Sequence, residues 1–411
     1  MNVLHINQSD LSGGAGIAGY RLHTQLRKSH INSRLLVDSA KLEESDTFII
    51  QRRRFFEDFI GRISIRMGLN YLHISGSGNI VSQDFYKKSD ILNLHNLHGG
   101  YFNYLAIHKL TEDKPAVFTL HDMWSFTGHC AYSFECDRWK TGCGKCPHLD
   151  TYPEIAYDNT AIEWKLKRWV YRRSSLVIVT PSQWLANLAH QSILNIFPIH
   201  HIPNGLDLNV YKPLDSELGR AALGIPPNKR VLLFIAQNFN DPRKGADLLL
   251  SALQKLPDFL TSNLILVTMG HGGEQWASTV SIPTLPLGYV GGDHLKALIY
   301  STADIFVFPT RADNLPVVIQ ESMACGTPIV SFNVGGVPEM VRPGITGLLA
   351  SPEDPDDLVA KITQILEDDS LLQLMKQNCR KIALAEYSIK LQAKRYIQLY
   401  QQVLNAGEDG L

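Results

Sequence analysis

Short apolar runs alternate with longer amphipathic stretches along most of the chain. The first run, residues 3–7, leads through Ser12-Gly13-Gly14-Ala15-Gly16 into a helical stretch at 17–29. Strand-like runs follow at 33–37, 91–94, 116–120 and 176–180. Runs of four to eight apolar residues bounded by polar or helical segments predict buried strands of a parallel sheet covered on both faces. A turn-rich break, Ile202-Pro203-Asn204-Gly205-Leu206-Asp207, interrupts the pattern, which then restarts. Strands are predicted at 230–236, 264–269, 305–309 and 328–332, with helices at 247–255, 294–301, 317–324 and 355–368. The expectation is an α/β chain of two doubly wound, Rossmann-like halves, 1–204 and 205–387, with a hinge near residue 205. The last stretch, 388–404, is helical by the spacing of Leu391, Tyr396, Leu399, Tyr400 and Val403, but periodicity does not place it.

Composition changes this picture little. A chain of 411 residues exceeds one hydrophobic core, in keeping with two domains. With 45% hydrophobic and 19% charged residues and a net charge of -1, no global field attracts nucleic acid, so anion binding must be local. No run approaches the roughly 18 apolar residues a membrane span needs. The N-terminus lacks the basic and apolar regions of a signal peptide, so a cytoplasmic location is expected.

Three stretches carry candidate chemistry. Gly13, Gly14 and Gly16 lie between the first strand and first helix, where backbone amides and the helix dipole favour a phosphate. Gly14, Gly16 and Gly19 also fit Gly-x-Gly-x-x-Gly, with Asp38 the acidic residue about 20 positions on, so a dinucleotide site stays open beside a plain tight turn. Arg243 and Lys244 follow the first strand of the second half, where open parallel sheets bind ligands, and could hold a diphosphate as it leaves. Asp313 and Glu321 stand eight residues apart across a loop-to-helix junction, Glu321 about two turns inside the helix. Amides of Asn314, Leu315, Pro316's neighbours and Val317 would face phosphate while Glu321 takes a ribose hydroxyl pair. Gly335-Gly336-Val337-Pro338-Glu339 repeats the strand-then-glycine character. Asp354-Pro355-Asp356 reads as a helix start and not as a metal site.

In order and spacing these pieces, with His121 and the Ile202–Asp207 turn, resemble family 4 of the retaining glycosyltransferases over nearly the whole chain. The resemblance implies a GT-B fold, two Rossmann-like domains facing across a cleft, with the C-terminal helix (388–411) crossing back onto the first. It implies that Gly13 and Gly14 line the diphosphate and acceptor side and that Arg243 and Lys244 grip the diphosphate. Asp313 replaces the usual first glutamate near the donor sugar, one methylene shorter, and Glu321 matches the ribose ligand. His121 matches a histidine touching sugar hydroxyls. Asn238 stands where many relatives carry another arginine. Tyr289 and Val290 form the expected base-side segment, UDP being favoured over GDP. No cofactor is implied for catalysis beyond the nucleotide-sugar donor. The expected acceptor is a saccharide or lipid-linked saccharide in polysaccharide assembly. A nucleotide-sugar epimerase, a dinucleotide oxidoreductase and a non-catalytic nucleotide-sugar binder are the alternatives.

The stretch from Thr119 to Tyr132 resembles a subgroup of exopolysaccharide and colanic-acid-type glycosyltransferases. Cys130, Cys136, Cys143 and Cys146 beside it have a spacing that admits a structural zinc site, disulfides or free thiols. His95 and His98 near strand ends are read as structural residues or as lining for the acceptor side. Two basic, apolar stretches, Arg52-Arg53-Arg54-Phe55-Phe56 through Arg66 and Trp164 through Arg173, could lie on anionic lipid at the inner membrane face or be solvated helix faces.

Overall fold

The computed structural model describes residues 1–52 and 54–408, and the chain divides into two compact units: Met1–Gly205 with Ile389–Leu411, and Leu206–Ser388. Among the described residues, the first unit holds seven strands: β1 (Asn2–Ser9), β2 (Asn32–Ser39), β3 (Thr47–Ile49), β4 (Ile91–Leu94), β5 (Ala116–Thr119), β6 (Leu176–Thr180) and β7 (Ile199–His201). They pair in the order β3-β2-β1-β4-β5-β6-β7, every pair parallel. Successive side chains of a strand point to opposite faces. Leu4, Ile6, Leu92 and Leu94 therefore enter one core, while Val3, Ile91, Val117 and Val179 enter the other. The second core is closed by Leu22 and Leu26 of the helix Gly13–Lys28 and by Tyr396 and Tyr400 of the C-terminal helix Ile389–Glu408. That helix is also pinned by polar contacts: Asn93 Nδ2 donates to the Tyr400 hydroxyl at 2.6 Å, and the Thr119 and Tyr396 hydroxyls meet at 3.0 Å.

The second unit contains β8 (Arg230–Asn238), β9 (Leu264–His271), β10 (Thr284–Pro286), β11 (Ile305–Phe308), β12 (Ile329–Phe332) and β13 (Gly347–Ala350), in the order β10-β9-β8-β11-β12-β13. Leu232 of β8 is opposite Leu266 on one side and Ile305 on the other. Both sheets thus reverse strand order beside a central first strand, between β1 and β4 and between β8 and β11. Open parallel sheets bind ligands outside the carboxyl ends at such a point.

The structure differs from the periodicity in several places. The first helix begins at Gly13, so the glycines form its first turn instead of preceding it. Val317–Ala324 places Glu321 only one turn inside its helix, not two. On the helix Thr160–Tyr171, Trp164 and Lys167 are buried, so the expected basic face keeps only Lys165, Arg168, Trp169, Arg172 and Arg173 at the surface. Of the other expected face, Arg53 lies outside the described residues, as do the side chains of Arg54, Phe55 and Phe56. Among the described residues, no helix is long and apolar enough to cross a membrane.

Candidate functional site

In the second unit, the turn after β8 is shaped by Asp241, whose carboxylate accepts from the Arg243 amide at 3.0 Å, and by Gly245 in the left-handed region (φ 68°). A Cβ at Gly245 would come within 1.8 Å of the Pro309 carbonyl oxygen, so only glycine lets this turn lie against the end of β11. This close approach sets the two cations beside the loop after β11. Arg243 Nη1 lies 3.1 Å and Lys244 Nζ 2.9 Å from the same oxygen, Oδ2 of Asp313. Arg243 also donates to the Ala312 carbonyl at 3.0 Å, and Lys244 Nζ stands 5.3 Å above the Phe308 ring. Burial alone would raise the Asp313 carboxyl, but Lys244 and Arg243 outweigh it and hold it below the usual range. Burial and then Arg243 lower the Lys244 ammonium, with Asp313 opposing. Gly335 (φ 55°) brings the next loop onto this cluster: its Cβ would meet the Asp313 carbonyl oxygen at 2.1 Å, and the Gly336 amide donates to that oxygen at 3.1 Å.

Asn314 and Leu315 are buried and lead to Pro316 at the start of Val317–Ala324, a helix with no acidic residue in its first turn. Glu321 is buried within it and accepts from the Tyr300 hydroxyl at 3.2 Å. Tyr289 is exposed and stacks on His271, the last residue of β9, rings 5.7 Å apart and 5° from parallel, with Val290 half-buried beside it. Asn238 is exposed at the end of β8 and accepts from the Asn240 amide at 2.9 Å. Arg311 was not singled out by the sequence. It is fixed by Asp247 at 2.7 Å and Glu353 at 3.1 Å, and its amide donates to the Arg243 carbonyl at 2.8 Å. Asp354 caps the helix Pro355–Glu367 by accepting from the amides of Asp356 and Asp357, the structural role its sequence context implies.

In the first unit, the glycines divide by role. A Cβ at Gly16 would stand 2.8 Å from Ser9 Oγ and one at Gly19 would stand 2.6 Å from Asn7 Nδ2, so both are packing positions. Among the described residues, a Cβ at Gly13 or Gly14 would meet nothing within 4 Å. Open space therefore borders the helix start, whose first turn carries no acidic residue to neutralise its dipole. Asp38, the acidic residue a dinucleotide site would use, is paired with Arg52 at 3.3 Å.

The ends of β4 and β5 add His95, His98, His121 and Asp122. His98 Nε2 is 2.7 Å from Asp122 Oδ2, and Asp122 Oδ1 accepts from the Trp124 amide at 2.9 Å. His95 Nδ1 lies 3.2 Å from His121 Nε2, and His95 Nε2 lies 2.9 Å from His5 Nδ1. His5 escaped the sequence reading because it sits inside β1, where its polarity reads as an interruption of a strand. Burial pushes His121 down to about 4. Lys167, which the sequence places on a basic face, is buried and donates to the Trp124 carbonyl at 2.6 Å and the Thr127 carbonyl at 3.0 Å, holding the loop that follows Asp122.

Cys130, Cys136, Cys143 and Cys146 line one small pocket with His129, whose Nε2 is 3.3 Å from Cys146 Sγ. All are free thiols. Burial pushes Cys130 up to about 12 and Cys143 up to about 11. Among the described residues, no group of three or more histidine, cysteine, aspartate or glutamate side chains is placed to hold a metal ion.

Residues 12–210 match the family described as Glycosyltransferase Family 4, and residues 215–382 match Glycosyl transferases group 1. The Escherichia coli (strain K12) protein WcaC, named as a colanic acid biosynthesis glycosyl transferase, is 26% identical over 328 residues, 76% of this chain and 76% of WcaC. A D-inositol 3-phosphate glycosyltransferase of Mycobacterium sp. (strain JLS) is 33% identical over 172 residues, 39% of this chain and 38% of that protein. Sucrose-phosphate synthase from Thermosynechococcus elongatus shares the fold with a TM-score of 0.74 at 17% identity, over 98% of this chain and 99% of that one. HepE from Anabaena, solved with UDP-glucose, gives 0.70 at 16% identity over 98% and 100%. At such identities the structural likeness is one of fold.

Proposed function

We propose, for a chain that belongs to the glycosyltransferases through its family 4 and group 1 regions, that it moves a sugar from a nucleoside-diphosphate sugar to a saccharide or lipid-linked saccharide acceptor. The observation that carries this reading is the convergence of Arg243 and Lys244 on Asp313 at the strand-order reversal of the second unit. Asp313 holds both cations, and Asp241 lies 3.6 Å from Arg243, so Arg243 and Lys244 are fixed in place where a diphosphate would sit. As the bond from the anomeric carbon to the diphosphate oxygen breaks, negative charge grows on that oxygen. Preorganised cations and helix-start amides near Val317 stabilise it without having to move. The acceptor hydroxyl oxygen bonds to the anomeric carbon and gives up its proton; same-face attack, with the departing phosphate taking that proton, is the reading that retains configuration. Glu321 suits a ribose hydroxyl pair, and the exposed Tyr289 ring suits the face of a base.

UDP is the favoured base, supported by the UDP-glucose bound to HepE, with GDP second. Polysaccharide assembly is supported by the name of WcaC. Incubation with radiolabelled UDP- and GDP-sugars, with and without chelator, should give chelator-insensitive transfer or slow donor hydrolysis. Activity that needs a divalent ion would overturn the metal-free part of the reading. An inverted anomeric product by NMR would overturn retention.

Two partner readings go with this one. Exposed Phe59, Ile63, Ile65 and Met67 beside exposed Arg62 and Arg66 suit peripheral contact with anionic lipid. Equal sedimentation with neutral and anionic vesicles would remove that reading. The four clustered cysteines supply the thiolate set of a structural zinc site, although the side chains would have to turn toward one another to bind it. About one zinc per purified chain is expected on that reading, and a zinc-free, folded protein with four titratable thiols would remove it.

A further inference from the structure

Three adjacent strands each contribute one imidazole to a continuous row. His5 lies on β1, His95 follows β4 and His121 follows β5, and these strands are neighbours in that order. The hydrogen bonds are 2.9 Å from His5 Nδ1 to His95 Nε2 and 3.2 Å from His95 Nδ1 to His121 Nε2. The ring planes are inclined by 16° and 30°, with centroids 5.2 and 5.4 Å apart. His5 and His95 are buried. Burial, reinforced by neighbouring histidines, holds both well below the usual imidazole range, so the row is uncharged at neutral pH.

A neutral imidazole carries one N–H and one lone pair, so each bond in the row must run in one direction. The far end fixes that direction. Among the described residues, His5 Nε2 is buried without a hydrogen-bond partner. An orphaned buried N–H is rarer and more costly than an orphaned acceptor. His5 therefore carries its proton on Nδ1 and donates to His95 Nε2. His95 must then carry its proton on Nδ1 and donate to His121 Nε2. His121 Nε2 is occupied as an acceptor, which leaves the His121 proton on Nδ1.

We propose that His5 and His95 are positioning residues that lock His121 as its Nδ1–H tautomer, so that His121 meets the transfer reaction as a hydrogen-bond donor to a sugar hydroxyl or phosphate oxygen and not as a base. The consequence for catalysis rests on the reading of His121 as a site residue; the tautomer itself rests only on the row. Glutamine at position 95 preserves the polarity, since its amide oxygen can accept from His5 while its amide nitrogen donates to His121. Leucine cannot do either.

The test is a two-bond proton–nitrogen spectrum of 15N-histidine-labelled protein, with kinetics on the same samples. The wild type should show His121 protonated on Nδ1. His95→Gln should keep that pattern and most of the turnover. His95→Leu should shift His121 toward the Nε2–H form and lower kcat about tenfold or more, with UDP affinity unchanged. His121 found as the Nε2–H form in the wild type would overturn the lock, even if the leucine variant does not fold. An Nδ1–H pattern that survives in His95→Leu would do the same. A wild-type rate in His121→Ala would instead sink the placement of His121 at the site while leaving the tautomer lock standing.

Discussion

Glu321 shows how a residue's surroundings sharpen a motif-level role. The sequence places a carboxylate in a helix after a phosphate-facing loop; the structure adds that it is buried and already accepts from the Tyr300 hydroxyl. That contact helps to fix the carboxylate's orientation for the ribose role proposed above. Glu321→Ala should weaken UDP binding about 10- to 100-fold, the range for losing a charge-assisted hydrogen bond with its partner left buried. Tyr300→Phe should weaken it less. Titration calorimetry giving wild-type affinity in Glu321→Ala would exclude the ribose role. Asp313 was legible as a carboxylate in the loop before the helix, but its grip on both cations was not, because Gly245 and Gly335 create that proximity through the fold. Lys167 misled for the opposite reason: a lysine between surface cations reads as exposed, yet its ammonium is satisfied inside by two carbonyls and the Trp124 ring at 3.7 Å.

At the level of elements, the strands that periodicity found are those with neighbours on both sides. The four it missed, β3, β7, β10 and β13, are the four sheet edges, three or four residues long. An edge strand buries less surface and can be short and polar, as Ile199–His201 is, so it leaves little apolar signal. The histidines of β1, the first helix and the ends of β4 and β5 make an element-scale prediction. Burial, with Arg27 next, lowers His23 to about 4, and burial lowers His121 to about 4; His5 and His95 are lowered too. A group lowered on folding contributes stability that is present above its unfolded value, about 6.5, and lost as pH falls through the folded value. The first unit should therefore lose stability between about pH 6.5 and 4, before most carboxylates titrate. Calorimetric melts across that window should show its transition falling, and one that stays constant would contradict the neutral row.

Over the whole molecule, the family was legible because several weak motifs fall in a fixed order, each at the carboxyl end of a strand. That placement follows from the topology: each unit reverses strand order beside its first central strand, and the glycine, cation and histidine positions gather there. Residue pattern does not encode the donor base, sugar or acceptor; on the proposed reading, the base meets the ring of Tyr289. The central claim is that the second unit binds a nucleoside diphosphate through Arg243 and Lys244. Calorimetric titration of UDP into the wild type and Lys244→Ala, each in chelator, tests it most directly. The account predicts chelator-independent binding to the wild type and an affinity at least about tenfold lower in a folded Lys244→Ala. Equal affinity in the two proteins, or no binding of UDP, GDP or ADP to the wild type, would contradict it.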